Sequence, residues 1–458
     1  MSLTVISNRG PYTPERDSDG TLRWKPPAGG LTAALTPIVE RQGGRWVAWA
    51  DAEPDVKSVD LPQEEARFTL DRVSLSDEEV ERYYTGLSNG AIWPVSHGLS
   101  NLVTLSEADW RVYRQVNARF AEATSLHEDA TVWVQDYQLA LVPNLLRRAS
   151  SRARVGFFWH IPWMPYSMMR VLPWLDEVTR GILGADLVGF HTEEYAHDFV
   201  RAALALPGVT RTEGGVRFEG RDVRVEAHPI SVDAREIMAL AESEEVRETA
   251  RTLQGTLGGS RVLLGVDRMD YTKGIPERLE AFEVLLERRE DLRGEVTLVQ
   301  FAVPGREGLE EYRALRERVE HLVGRINGRF GTSLWSPVRF VAHGASLSEL
   351  VAHYLVTDVM LVTPLRDGMN LVAKEFACAS KRGVLLLSTF AGASEELQDA
   401  LPCHPYSPDH LADALEAALA LPEEEREARM TRLREHVRTH DVHAWAQGFL
   451  SRLAEITS

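Results

Sequence analysis

The chain has little cysteine and no long apolar segment. Only two of its 458 residues are cysteines, Cys378 and Cys403. Two cysteines cannot build a disulfide scaffold, and the helical context FACAS predicts that Cys378 is a small core residue. No run of about 18 uncharged apolar residues occurs, and no basic-then-apolar leader precedes the first strand-like segment, LTVIS. We therefore expect a soluble, cytoplasmic protein with no membrane partner.

Positive charge is also scarce. The formal net charge is −17 at pH 7, from 51 Lys and Arg against 68 Asp and Glu. Nucleic acids and anionic membranes both require a basic face, so this balance argues against either as a partner. Any phosphate site must then be a local cluster of cations. The chain has 458 residues, which is longer than a single hydrophobic core usually grows, so two domains are expected. Its hydrophobic content of 44% is enough for large packed cores.

Strand-like apolar runs alternate with amphipathic helical stretches in both halves of the chain. Such near-continuous Val, Ile and Leu runs are typical of buried parallel strands. The runs are Leu3–Ile6, Trp46–Trp49, Thr131–Val134, Val155–Trp159, Leu187–Phe190, Val223–Ala227, Val262–Val266, Val296–Phe301, Val338–Val341, Val359–Thr363 and Val384–Ser388. The pattern predicts an α/β protein made of two doubly wound, Rossmann-like units in tandem.

The boundary between the units is predicted near Ser231–Ala234. There the segment HPISVD separates the last strand of the first half from a charged helix, Glu242–Leu253. The first domain is thus expected to cover residues 1–232 and the second 233–440. The final stretch, 441–458, is predicted to form an amphipathic helix that packs back on the first domain.

Two segments of the second half set charged residues where an apolar strand gives way to a loop and a helix. They are GVDRMDYTKG (Gly265–Gly274) and TPLRDGMNLVAKE (Thr363–Glu375). Because open α/β sheets bind ligands at this edge, Arg268 and Lys273 are placed to converge on one diphosphate. The second segment enters its helix through Gly368 and would offer free backbone N–H groups to an anion. The alternative is a surface turn with two solvated charges.

Asp367 and Glu375 lie in the second of these segments. If the helix begins near Met369, Glu375 sits nearly two turns inside it, within reach of a ribose diol. A helix-capping role is the competing interpretation for Asp367. Arg306 follows another predicted strand, Val296–Phe301, and is either a ligand cation or an exposed charge.

The first half also places polar residues at strand ends. Arg9 follows the first predicted strand, Asp136 the third and His160 the fourth. The segment PAGGL ends in Gly30 at the start of a helix, where paired glycines let a phosphate approach the backbone. Structural alternatives exist for each: an exposed loop charge for Arg9, an ordinary turn for PAGGL and a core position for His160.

Aromatic pairs and one acidic pair complete the set of candidates. Tyr83-Tyr84 and Trp93-Pro94 bracket SNGAI, and their rings suit either a sugar or a core. Asp17-Ser18-Asp19 matches the DxD pattern of metal-dependent glycosyltransferases, but Gly20 and the polar flanks predict a hairpin turn. No His, Cys and Asp cluster with metal-ligand spacing occurs elsewhere. We therefore expect no metal and no cofactor, with a bound diphosphate neutralised by Arg and Lys.

Assembled in order, these motifs resemble the trehalose-6-phosphate synthase family of retaining glycosyltransferases. The resemblance spans essentially the whole chain, through SNR, PAGGL, YYxxxSNxxxWP, QDYQL, GFFWHIPW, GADLVGFHT, DRMDYTKG, GRINGRFG, TPLRDGMNLVAKE and LSTFAGASEEL. It implies the GT-B fold, two Rossmann-like domains facing across a cleft. The implied reaction moves glucose from UDP-glucose or another nucleoside-diphosphate glucose to glucose 6-phosphate with retention, giving α,α-trehalose 6-phosphate.

The resemblance also implies roles for individual residues. Those implied in donor binding are Gly30, Arg268, Lys273, Leu350, Asp367, Gly368, Met369, Asn370, Leu371, Val372 and Glu375. Those implied in acceptor binding are Arg9, Tyr84, Trp93, Asp136 and Arg306. Those implied in the chemistry are Asp136, His160, Arg268, Lys273 and Asp367.

Within these sets, the resemblance gives the diphosphate to Arg268 and Lys273, the ribose to Glu375 and the glucose hydroxyls to Asp367 and His160. The acceptor phosphate falls to Arg9, Tyr84, Trp93 and Arg306. No carboxylate nucleophile is assigned in the family, so positioning and electrostatics are expected to carry the reaction.

The chain departs from the family pattern around Asp136. Gln135 and Gln138 stand where histidines often occur, and Gln cannot carry charge, which argues against a proton shuttle there. The loop after His160 reads WMP, which places Trp163 and Met164 near the acceptor. Ala345 and Ser346 stand where some relatives have an aromatic residue, so the nucleobase is left open.

Three other functions compete with this interpretation. Glucosylglycerol-phosphate synthase would use glycerol 3-phosphate, but Arg306, Asn89 and the intact PAGGL favour the disaccharide phosphate. A nucleotide-sugar epimerase would lack a separate cluster for an acceptor phosphate. A non-catalytic regulatory subunit is disfavoured because the charged positions are all present. We also expect a homo-oligomer whose ligands are the two small-molecule substrates.

Overall fold

The computed structural model describes residues 3–25, 30–124, 130–150, 152–305 and 308–456. The chain divides into two compact units. The first comprises Met1–Ile230 together with His443–Ser458, and the second comprises Ser231–Val442. Each unit has a sheet whose strands alternate with helices along the chain.

The first unit contains strands β1 to β12. In chain order they are Leu3–Ile6, Thr13–Arg16, Leu22–Lys25, Arg45–Trp49, Ser58–Leu61, Phe68–Val73, Thr131–Gln135, Arg154–Phe158, Leu187–Phe190, Thr210–Thr212, Gly215–Phe218 and Arg221–Ala227. Ten of them form one sheet in the order β10-β11-β12-β9-β8-β7-β1-β4-β6-β5. Pairing is parallel from β12 to β6, and antiparallel strands stand at both edges.

The helices of the first unit connect these strands. In chain order α1 to α8 are Gly30–Gln42, Asp77–Val80, Trp93–Ser96, Glu107–Ala123, Val142–Ala149, Tyr166–Met169, Leu175–Ile182 and Glu193–Leu204. A π-helix, Glu81–Ile92, joins α2 to α3, and short 3₁₀ turns cover Ser100–Leu102 and Tyr137–Leu139.

The second unit is built on a parallel sheet. Its strands, β13 to β18, are Arg261–Arg268, Val296–Val303, Val338–Val341, Val359–Val362, Val384–Ser388 and Leu401–Cys403, in the order β15-β14-β13-β16-β17-β18. Helices α9 to α17 are Ala234–Glu242, Glu244–Thr256, Ile275–Arg288, Glu310–Phe330, Leu347–Val356, Leu371–Ala379, Ala393–Glu396, Pro408–Ala420 and Glu423–Thr439, with a 3₁₀ turn at Glu290–Leu292. The inner strands are buried, which is why they read as continuous apolar runs.

Every strand predicted from the apolar runs is present, with small shifts at the ends. The helix predicted over Glu242–Leu253 was wrong in its start, because Ser243 interrupts it and caps α10 through the N–H of Val246. The hairpin turn predicted at Asp17–Asp19 is confirmed: β2 pairs with β3, and Gly20 takes a left-handed φ of 84°.

The last helix, α18 (Val442–Glu455), packs within the first unit. The ring centroids of Trp445 and Phe449 lie 5.0 and 4.7 Å from that of Trp133 on β7. Gly156 and Gly189 leave room for this helix, since a Cβ at either position would press on the Phe449 ring. Among the described residues, no helix combines the length and apolarity needed to cross a membrane.

Candidate active site

Among the parallel strands of each sheet, the strand order reverses direction at one place. In the first sheet the reversal lies between β1 and β7, and in the second between β13 and β16. The crevice at the carboxyl ends of such strands is where doubly wound sheets bind ligands. Arg9 and Asp136 follow β1 and β7, while Arg268 ends β13 and Asp367 lies in the loop after β16. Each unit thus presents its candidate residues at its own reversal.

In the segment Ser7-Asn8-Arg9, the first two side chains make buried hydrogen bonds and the third lies at the surface. The Trp46 indole N–H donates to Ser7 Oγ at 2.7 Å, and the Tyr83 hydroxyl donates to Asn8 Oδ1 at 3.0 Å. These two buried bonds fix the backbone where β1 ends, so the third residue, Arg9, is held at the edge of the sheet.

Arg9 projects into a small aromatic and acidic cluster. Its Nη1 is 2.8 Å from Asp51 Oδ2, and its guanidinium lies 4.4 Å from the Trp49 ring centroid and 5.4 Å from that of Tyr84. The structure therefore brings together Arg9 and Tyr84, two of the residues to which the resemblance gives the acceptor phosphate. The Arg9 side chain keeps 47% of its exposure, so a stacked cation remains accessible to an anion.

The motif YYxxxSNxxxWP lies on the π-helix Glu81–Ile92 and on α3. Ser88 Oγ donates to the carbonyl of Tyr83 and Asn89 Nδ2 to that of Tyr84, each at 2.8 Å and each across five residues. A spacing of five residues is that of the π-helix, whose turn is wider than the turn of an α-helix. π-Helical segments are rare and occur mainly at functional sites. Sequence patterns of period 3.6 do not reveal such a turn, so it was missed.

Trp93 begins α3 and is nearly fully buried. Its ring centroid lies 4.2 Å from that of His97 and 5.9 Å from that of Tyr137. The Tyr137 hydroxyl in turn donates to Asn89 Oδ1 at 2.9 Å. Trp93 therefore joins the π-helix to the QDYQL segment, and its predicted contact with an acceptor phosphate stays a prediction.

Asp136 has a strained backbone. Its φ of 72° and ψ of 167° lie outside the regions that L-residues favour. Its Oδ1 accepts the N–H of Tyr137 at 3.0 Å and that of His160 at 3.1 Å. The carboxylate thus ties the end of β7 to the end of β8 and brings Asp136 next to His160. Strain of this kind is concentrated at functional sites.

The His160 ring is enclosed by aromatic groups. Its centroid lies 4.5 Å from that of Phe158, 5.2 Å from His191 and 6.1 Å from Trp445 on α18. Burial, and then the neighbouring His191, lower the pKa of His160 well below its usual value. The ring is therefore neutral at physiological pH.

The two charged segments of the second unit are joined directly. Lys273 Nζ is 2.6 Å from Asp367 Oδ2, and both side chains are largely buried. The N–H of Leu365 donates to the carbonyl of Thr272 at 2.8 Å, so the backbones of the two loops are also linked. Gly274, with a φ of 64°, turns the chain into α11 where a Cβ would strike the carbonyl of Thr363.

The loop of Asp367 is fixed from two sides. Asn370, with a φ of 84°, caps α14 by accepting the N–H of Ala373 and donates to Asp367 Oδ2 at 3.1 Å. The N–H of Asp367 donates to the carbonyl of Phe390, whose segment FAGAS follows β17. The capping alternative for Asp367 and the helix start near Met369 were therefore wrong, because Asn370 occupies the cap and α14 begins at Leu371.

Glu375 lies one turn inside α14. Its Oε2 accepts the hydroxyl proton of the buried Tyr354 on α13 at 2.8 Å. Burial raises the pKa of Glu375, while the bond from Tyr354 opposes that rise. Tyr354 was missed from the sequence because its partner is 21 residues away on another helix.

Arg278 is the most deeply buried cation near these loops. Its Nη1 bonds Asp267 Oδ2 at 2.6 Å and Gln300 Oε1 at 2.8 Å, and its Nε donates to Thr363 Oγ1 at 3.0 Å. One side chain of α11 thus joins β13, β14 and the residue that follows β16. Gly265 makes room for it, since a Cβ there would overlap Arg278 Nη1. A sequence signal existed: Arg278 stands on the apolar face of α11.

The remaining candidates occupy expected elements or fall outside the described ranges. Gly30 begins α1, Leu350 lies in α13, and Gly368 and Met369 precede the first α14 residues Leu371 and Val372. Arg306 and the first three residues of PAGGL lie outside the described residues. Within the described ranges, no group of three or more His, Cys, Asp or Glu is arranged to hold a metal ion.

Two Rossmann-like units with cations and carboxylates at their strand reversals define a GT-B glycosyltransferase. The particular family is settled by the sequence profile of glycosyltransferase family 20, which matches residues 1–455. The chain belongs to this family.

Known relatives are similar over their full lengths. The trehalose-6-phosphate synthase of Mycobacterium avium (strain 104) is 44% identical over 468 residues, covering 99% of this chain and 95% of that protein. The crystal structure of an α,α-trehalose-phosphate synthase (UDP-forming) from Burkholderia xenovorans in complex with glucose-6-phosphate is 34% identical, with a TM-score of 0.91 and coverage of 99% and 100%. An E. coli structure bound with UDP-2-fluoro glucose is 32% identical, with a TM-score of 0.91 and full coverage of both chains.

Proposed function

We propose that this protein transfers glucose from a nucleoside-diphosphate glucose, such as UDP-glucose, to glucose 6-phosphate, forming α,α-trehalose 6-phosphate with retention. The observation that carries the proposal is the contact between Lys273 and Asp367 at the reversal of the second sheet. It sets a cation suited to a diphosphate beside a carboxylate suited to sugar hydroxyls. The relatives named above support the choice of substrates, since their structures hold glucose-6-phosphate and a UDP-glucose analogue.

In the proposed reaction, the bond from the donor's anomeric carbon to the diphosphate breaks as a bond to the acceptor hydroxyl forms on the same face. The acceptor's proton passes to the departing phosphate oxygen. Arg268 and Lys273 stabilise the negative charge that develops on the leaving group. Retaining glycosidases use a pair of carboxylates, one as nucleophile. We assign no nucleophile here, so catalysis depends on orientation and fixed charge.

The residues of the first unit suit the acceptor. Arg9, stacked on Trp49 and within reach of Tyr84, offers an accessible cation to a phosphate. Asp136 is held rigidly by two backbone N–H groups and offers its carboxylate to sugar hydroxyls.

Glu375, in the second unit, is kept in place by Tyr354 and suits the ribose of the donor. The expected homo-oligomer stays a prediction, to be read from sedimentation velocity.

The test is a product assay with and without excess chelator. We expect trehalose 6-phosphate from glucose 6-phosphate and at least one nucleoside-diphosphate glucose, at an undiminished rate in chelator, because Arg and Lys take the role of a metal. Glycerol 3-phosphate serves as the rival acceptor. A preference for it would replace this proposal with glucosylglycerol-phosphate synthesis, and complete, reversible loss of turnover in chelator would contradict the metal-free site.

Replacing Arg9 by alanine is expected to raise the KM for glucose 6-phosphate by about 10- to 150-fold. Losing a charge-assisted hydrogen bond costs about 1.5–3 kcal/mol, which gives that range. The dissociation constant of the nucleoside diphosphate should stay nearly constant. Arg16→Ala is the matched control, because Arg16 pairs with Glu53 in the same unit and is exposed. An equal fall in nucleotide affinity would remove Arg9 from the acceptor site.

A further inference from the structure

Gln135 is the last residue of β7 and is completely buried. Its Oε1 lies 2.8 Å from Nε2 of His160, at the end of the neighbouring strand. A carboxamide oxygen can only accept a hydrogen bond, so Nε2 must be the nitrogen that carries a proton in this contact. The identity of residue 135 therefore bears on the protonation of a candidate catalytic residue.

The tautomer of His160 matters because the ring is neutral. Phe158, His191 and Trp445 enclose it, and burial holds the pKa of His160 well below its usual value. A neutral imidazole has one N–H donor and one bare nitrogen that accepts. With the proton on Nε2, Nδ1 is left as the acceptor.

The other end of the Gln135 side chain makes no polar contact in the described structure. Its amide nitrogen is buried and has no hydrogen-bond partner among the described residues. A buried donor without a partner is unfavourable, and an apolar side chain of similar shape would avoid that penalty. The oxygen contact with His160 is the one polar role that the described structure gives this side chain.

We propose that Gln135 is a positioning residue that fixes His160 as the Nε2–H tautomer, so that Nδ1 accepts a hydrogen bond from a hydroxyl of the donor sugar. The tautomer follows from the orientation of the Gln135 amide, whose oxygen faces His160, whereas the sugar as ligand rests on the proposed function. Gln138, on the other side of Asp136, makes no such contact with His160 within the described part of the chain and serves as its counterpart for comparison.

The tautomer is read directly by NMR of the full-length protein labelled with ¹⁵N-histidine. Long-range ¹H–¹⁵N correlations identify which ring nitrogen is protonated, and the His160→Gln variant identifies the signals of His160 by their loss. We expect Nε2 protonated and Nδ1 bare in the unmodified protein. A ring protonated only on Nδ1, or protonated on both nitrogens, would overturn the proposal without the need for any variant.

Variants then test whether Gln135 is responsible. Gln135→Met keeps the length but removes the acceptor, and should shift His160 towards the Nδ1–H form. Gln135→Glu retains an acceptor oxygen and should keep Nε2 protonated. Gln138→Met is the matched control and should leave the His160 signals in place. Unchanged His160 signals in Gln135→Met, or a bare Nε2 in Gln135→Glu, would show that another group sets the tautomer.

Kinetics test the role towards the sugar. Gln135→Met should raise the KM for the nucleoside-diphosphate glucose by about 2- to 12-fold, the value of one ordinary hydrogen bond. The dissociation constant of the sugar-free nucleoside diphosphate should not change, and this split separates positioning from a general structural defect. Equal losses in both would contradict the sugar contact. An unmodified protein that forms no product would refute the proposed function, while the NMR result would still decide the tautomer.

Discussion

Replacing Arg278 by methionine is expected to lower the melting temperature of the protein by roughly 6–20 °C. The guanidinium and the Asp267 carboxylate it contacts are both buried, at 0% and 3% side-chain exposure. Removing one partner of a buried ion pair costs about 3–5 kcal/mol, because the other charge stays buried without its partner. For a unit of this size, 1 kcal/mol corresponds to about 2–4 °C.

Arg288→Met is the control for this experiment. Arg288 lies on the same helix, α11, but its partners Asp409 and Asp413 are exposed, so its loss should cost less than about 1 kcal/mol. The double variant Arg278→Met with Asp267→Leu should recover part of the stability, since it removes the unpaired charge. Differential scanning calorimetry measures all three. Equal melting temperatures for Arg278→Met and Arg288→Met would contradict the buried network.

The largest catalytic effect is expected from Lys273→Met. Removing one fixed charge from a developing oxyanion lowers kcat by about 100- to 1000-fold, and the same is expected for the leaving diphosphate. Binding of the nucleoside diphosphate, measured by calorimetry, should weaken by about 10- to 150-fold. Lys381→Met is the matched control: this lysine lies in the same unit, is exposed and pairs with Glu242.

Asp367→Asn separates the two members of the pair. If Asp367 contacts the sugar, this variant should weaken binding of the nucleoside-diphosphate glucose and leave the sugar-free nucleoside diphosphate largely unaffected. If it only holds Lys273 in place, both ligands should lose affinity together. The same two calorimetric titrations distinguish these outcomes. Full activity in Lys273→Met would remove this lysine from the leaving-group site.

The sequence was sufficient for the parts of the site that lie at strand ends. Arg9, Asp136, His160, Arg268 and Asp367 each follow a continuous apolar run, and such runs form buried parallel strands. Within each sheet the carboxyl ends of these strands lie at one edge, so the placement follows from order along the chain. Short edge strands such as Ser58–Leu61 were missed because an edge strand needs no apolar run.

The supporting residues required the tertiary structure. Asp51 reaches Arg9 across 42 positions, Tyr354 reaches Glu375 across 21, and Thr363 reaches Arg278 across 85. No local pattern encodes such contacts, because they depend on how strands register and how helices pack. The alternative interpretations of single motifs also rested on local sequence, and only the tertiary contacts decided between them. For example, Asn370 and not Asp367 caps α14.

By itself, then, the sequence determined the strand and helix order, the motifs at the strand ends and the family, because apolar periodicity and ordered motifs are written along the chain. Tertiary structure alone decided which side chains hold them: the Lys273–Asp367 pair, the buried Arg278 and the contact of Gln135 with His160. The physical reason is burial. A charged or polar side chain is stable inside only with partners, and those partners come from distant parts of the chain.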